Sequence, residues 1–201
     1  MLPLSLLASR TFAGLTLLTL LLYGALGAVL VLLPYTLMRV GGFSSAGAGS
    51  AMLPLPVTLS LVSPFIGGVA ARTRPEIILG MGALVVGSGF MLALRIGPDA
   101  SYWSDVLPAV LVLALGLGCA AAPLTTAVLN SVDARHAGSA SGFNSAVART
   151  GGLIATSLLA AVMASEEAAF MRSFHLALVF AAVACVAAAL AAFTMVGRSR
   201  T

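Results

Sequence analysis

The chain has 201 residues, of which 60% are hydrophobic and only 8% charged, with a formal net charge of +4. A soluble domain carries roughly 25% charged residues, so this composition excludes a water-solvated globule and makes lipid the solvent. The ten basic residues are all arginine and stand singly, without a basic stripe, which argues against a nucleic-acid partner.

Six apolar segments are each long enough to cross a hydrocarbon core that needs roughly 20 helical residues. The first spans about 11–33 and is expected to stop at Pro34. The second spans about 46–71 and contains Pro54, Pro56 and Pro64. The third spans about 75–95, with Pro75 at a favourable first-turn position. The fourth, fifth and sixth span about 106–130, 138–163 and 173–196. The connections are short, which forces antiparallel neighbours and predicts one six-helix transmembrane domain over residues 1–201. The first span is too long for the apolar core of a signal peptide and is not followed by a convincing cleavage site. Tyr102 and Trp103 suit an interfacial aromatic belt.

Arginines set the orientation. With the N-terminus inside, Arg10, Arg72, Arg74, Arg135, Arg198 and Arg200 are cytoplasmic, while Arg39, Arg95 and Arg172 are outside. This bias favours both termini inside.

No catalytic constellation is legible. His136 and His175 fall on opposite sides of the membrane in this topology, and there is no metal-ligand or phosphate-loop spacing. Cys119 and Cys185 lie within apolar spans and read as small buried hydrophobes. The expectation is a protein that is not an enzyme and needs no cofactor or metal. Gly80, Gly82, Gly87, Gly89, Gly116 and Gly118 read first as close-packing positions between helices.

The fifth span carries one conspicuous residue. Arg149 lies eleven residues past Gly138, about 16 Å along a helix. At 100° per residue, Gly138, Ser141, Ser145, Gly152 and Thr156 fall within about 80° of it. Phe143, Val147, Ile154 and Leu158 fall opposite, and Asn144 lies on a flank. A central arginine costs several kcal/mol unless hydrated or paired. Two roles are open, a snorkelling or paired arginine and a cavity-lining one. The pathway candidates are Ser141, Asn144, Ser145, Arg149, Gly152 and Thr156.

Three stretches, taken together, resemble a known family. They are LLPYTLMRVGGFSSAGAGSAMLPLPVTLSLVSPFIGGVAAR (32–72), SYWSDVLPAVLVLALGLGCAAAPLTTAVLNSVDARHAGSASGFN (101–144) and GSASGFNSAVARTGG (138–152). As a set they are similar to the carboxy-terminal half of a major facilitator superfamily transporter, in the fourteen-helix drug–proton antiporter branch. The resemblance implies an all-α membrane fold in which six helices form two three-helix inverted repeats. It also implies multidrug efflux by alternating access, a small lipophilic substrate, a second six-helix half and a bacterial inner membrane. The alternative is a truncated or non-transporting six-helix scaffold. The resemblance further implies a cytoplasmic gating loop at Gly68, Arg72 and Arg74, although Ala71 stands where the family has an aspartate. No span holds an acid at depth, Glu76 standing at the very start of the third, so the coupling carboxylate is expected in the other half.

Overall fold

The computed structural model describes residues 9–70, 72–163 and 166–196. Ala71, Arg198 and Arg200 therefore lie outside the described residues. Among the described residues there are helices and no strands.

Helix α1 runs Arg10–Arg39, opened by the Ser9 side chain, which accepts the Phe12 backbone N–H. It passes through Pro34 instead of stopping there. The proline removes one backbone donor. Inside a membrane the backbone groups around a proline must find partners within the protein, and Ser or Thr side chains can supply them. Here Val40 N–H donates to the Thr36 carbonyl, and the Thr36 hydroxyl donates to the Leu32 carbonyl at 2.8 Å. Gly42, with φ +66°, then makes the sharp turn that a side chain would resist.

The second span is interrupted rather than continuous. Helix α2 covers Ser45–Ala51 and α3 covers Pro54–Ala70. Pro54 cannot donate to the preceding turn, so the chain bends at Met52–Leu53 and restarts with proline at the head of α3. Helix α4 spans Pro75–Ala93 and α5 spans Leu107–Asn130. A π-turn at Tyr102–Val106 leads directly into α5, shortening the connection expected at 96–105. Helix α6 spans Ala137–Met163 and α7 spans Glu167–Met195. The last helix thus begins six residues before the expected 173.

Among the described residues, five helical segments are long and apolar enough to cross a membrane: Arg10–Arg39, Ser45–Val69, Pro75–Ala93, Tyr102–Asn130 and Ala169–Met195. Helix α6 matches them in length, at 27 residues or about 40 Å, but is more polar. The protein is a multi-pass, all-α membrane protein.

Its packing follows a pseudo-two-fold scheme. The main helix contacts are α1 with α6, α1 with α7, α4 with α5, α3 with α5, and α4 with α7. Exchange of α1, α2–α3 and α4 for α5, α6 and α7 maps this set onto itself. Each repeat has three spans, so the second runs opposite to the first, as inverted repeats require. Between lipid-embedded helices, association relies on close packing rather than hydrophobic burial, and glycines set the approach. A Cβ on Gly116 would lie 2.5 Å from Val86 N, and one on Gly89 2.8 Å from the Leu113 side chain. Gly82 meets Ala120, Gly87 meets Cys185, Gly118 meets Val62, and Gly80 sits under the Phe193 ring. All six glycines expected to pack closely therefore do so.

Candidate functional site on helix α6

Helix α6 has three faces. The first packs on α1. Gly151 and Leu159 are buried there with Ala140. A Cβ on Gly151 would lie 2.7 Å from the Leu20 carbonyl oxygen, and one on Gly27 2.8 Å from Gly152 Cα. Asn144 also belongs to this face. Its Oδ1 lies 2.7 Å from the hydroxyl of the fully buried Thr19, which is 2.8 Å from the Leu15 carbonyl. One hydroxyl proton serves one acceptor at a time, so the amide satisfies both contacts when turned to donate from Nδ2 to Thr19. This is a polar clasp between α1 and α6.

The second face is apolar. Ile154 and Leu158 are exposed and border a groove of about 630 Å³ between α1, α6 and α7, lined also by Leu20, Leu176 and Phe180. Phe143 continues this side toward the helix start and stacks on Phe12 at 5.9 Å.

The third face carries the polar residues. Ser145 and Arg149 are exposed, and Ser141, Gly152 and Thr156 are half-buried along its edges. A Cβ on Gly138, Gly142 or Gly152 would meet nothing within 4 Å. Thr156 returns its hydroxyl to the Leu153 carbonyl at 3.0 Å. Arg149 makes no hydrogen bond or ion pair with the described residues. An ion pair joins Arg135 and Asp133 at 3.2 Å, exposed ahead of α6.

Depth follows from helix register. Gly24 lies fourteen residues from the start of α1 and fifteen from its end, and it touches Gly151. Gly151 lies fourteen residues from the start of α6 and twelve from its end. The two helices cross at their middles, so Arg149, twelve residues or about 18 Å into α6, sits at mid-span. In the other repeat Gly118 meets Val62, and these also lie at the middles of α5 and α3. Matching Gly151 to Val62 puts Ser60 of α3 where α6 has Arg149, so the repeats agree in geometry and differ in charge there.

The expected gating-loop residues Gly68, Arg72 and Arg74 are all exposed between α3 and α4. Gly68 sits in the last turn of α3 and Arg74 at the entry to α4, without a side-chain cap bond. Sequence reasoning missed Arg39. Its guanidinium donates to the Met163 carbonyl at 3.1 Å, capping α6, and lies 4.5 Å over the Phe170 ring of α7. Tyr35, one turn before it, stacks edge-on against the same ring at 5.7 Å. The Tyr35–Arg39 spacing was the available signal.

No family model matches the chain. Curated relatives do. A puromycin resistance protein of Streptomyces alboniger is 29% identical over 142 residues, covering 69% of this chain and 28% of that protein. An uncharacterized MFS-type transporter of Mycobacterium tuberculosis is 30% identical over 146 residues, covering 70% of this chain and 25% of the relative. The multidrug export protein EmrB of Haemophilus influenzae is 30% identical over 144 residues, or 71% of this chain and 28% of its own length. The chain thus spans about a quarter of the relatives it matches, and those relatives are named as transporters and resistance proteins, not as enzymes.

Proposed function

We propose that this chain, a homologue of major facilitator superfamily transporters, forms the carboxy-terminal six-helix half of a drug efflux antiporter of the fourteen-helix branch. It works by alternating access opposite a second half, with both termini at the cytoplasmic side of a bacterial inner membrane. The observation that carries this reading is the third face of α6. A helix at membrane depth does not expose an arginine, serines and bare glycine backbone to lipid. The side opposite its α1 contact therefore lines a pathway, with Ser145, Arg149 and Thr156 as wall residues and Ser141 and Gly152 at its margins. Asn144 contributes through its clasp with Thr19, which holds the helix in register. Gly68, Arg72 and Arg74 form a cytoplasmic gate, and the repeat symmetry supplies the rocking unit. The names of the relatives support small lipophilic drugs as substrates.

Inside-out vesicles carrying the chain with the remaining segments of its transporter test this. Energised vesicles should accumulate a lipophilic dye, and Arg149→Ala should abolish uptake at unchanged abundance. Absence of energised uptake of any lipophilic compound overturns the efflux reading.

A further inference from the structure

We infer that the open face of α6 binds a lipophilic carboxylate, with Arg149 holding its headgroup near mid-bilayer. This rests on reading that face as pathway lining and adds the substrate's charge.

The argument begins with charge balance. Arg149 is about 18 Å from the start of α6. Side chains tilt toward the helix start, but an arginine stem does not cover that distance. The six acids of the chain are Glu76, Asp99, Asp105, Asp133, Glu166 and Glu167. Each falls in a connection or the first turn of a helix, so none reaches mid-span. The matching position on α3 is the neutral Ser60. The wall contributed by this chain therefore carries one cation without a counter-charge among the described residues, and a charge-assisted bond is the strongest contact it offers a ligand.

The surroundings select the kind of anion. Guanidinium forks match carboxylate geometry with two parallel donors. Leu153, one turn beyond Arg149 and about 60° or less around the helix, is 67% exposed. Gly142 and Ala146 lie on the same side one to two turns before it and leave the surface low. The face thus pairs a charged point with an apolar shelf. A molecule with a carboxylate at one end and a hydrocarbon body fits both.

The test uses the purified chain in neutral phosphatidylcholine nanodiscs with dansyl-undecanoic acid and its methyl ester. The acid should bind at least tenfold more tightly than the ester. Arg149→Gln should erase that preference, and Arg149→Lys should keep part of it, with monodispersity checked for each. Equal binding of acid and ester, or a preference that survives Arg149→Gln, overturns the proposal. So does a chain that ignores the acid but associates with a leucine–alanine transmembrane peptide bearing one central glutamate and not its glutamine version. That result assigns the counter-charge to a facing helix. Arg149→Cys, on a background without Cys119 and Cys185, separates the two readings. Labelling by an impermeant thiol reagent with no anion preference leaves the pathway reading standing and removes this one. No labelling removes the pathway reading itself.

Discussion

Gly151→Ala should destabilise the protein, while Gly142→Ala, nine residues earlier on the same helix, should not. At 151 the new Cβ would sit 2.7 Å from the Leu20 carbonyl oxygen and 3.2 Å from Gly24 N, where ordinary contact begins at 3.4 Å. The α1–α6 crossing must open by about 0.7 Å to admit it. A radial gap of that size forfeits a quarter to a half of each dispersion contact along the seam. Overpacking of this kind costs about 1–3 kcal/mol. Alanine gains up to about 1 kcal/mol over glycine in helix propensity, and less in lipid, where the helix is already enforced. The clash wins at 151. At 142 nothing lies within 4 Å of the new methyl, so only the propensity gain remains. Thermal or denaturant unfolding of the purified chain in one detergent measures both. Equal stability of the two variants, or Gly142→Ala as the weaker, would refute the mid-helix crossing and the depth assigned to Arg149.

Other outcomes follow from the same contacts. Thr19→Val removes the buried clasp to Asn144 and should cost about 0.6–1.7 kcal/mol in the same unfolding assay. Asn144→Leu should cost a similar amount, and the double variant less than the sum, because the two share one interaction. Arg39→Met should destabilise by about 1–2 kcal/mol through the lost cap on Met163 and the lost stacking on Phe170. Its signature is increased hydrogen exchange at the end of α6. Cys185 is fully buried beside Gly87 and Cys119 only half-buried, so a lipid-soluble maleimide should modify Cys119 first.

The spans were legible because twenty apolar residues leave few alternatives to a helix in lipid. The glycines of α4 and α5 were legible for a related reason, since a small residue in a span has little use beyond close approach. Helix ends were not. Pro34 is a stop signal in water, but in α1 the turn beyond it stays helical, anchored by Thr36 and by Arg39 on α6 and α7. Pro54, read as lying inside a continuous second span, instead breaks it, since it cannot donate to the turn before it and α2 ends at Ala51. The periodicity of α6 separated Arg149 from Ile154 and Leu158. It did not show that α1 occupies a third side, because Gly24, Gly27 and Thr19 are 125 or more residues away in the chain. Asn144 was therefore grouped with the pathway, although its contact is with Thr19.

The central claim is that α6 turns its arginine face to water and its Ile154–Leu158 face to lipid. Single cysteines at 145, 149 and 156, and at 154 and 158, in a chain lacking Cys119 and Cys185, measure this in the native membrane. The first three should react with a membrane-impermeant maleimide, and the last two only with a lipid-soluble one. Impermeant labelling at 154 and 158 with none at 145, 149 and 156 would contradict the account.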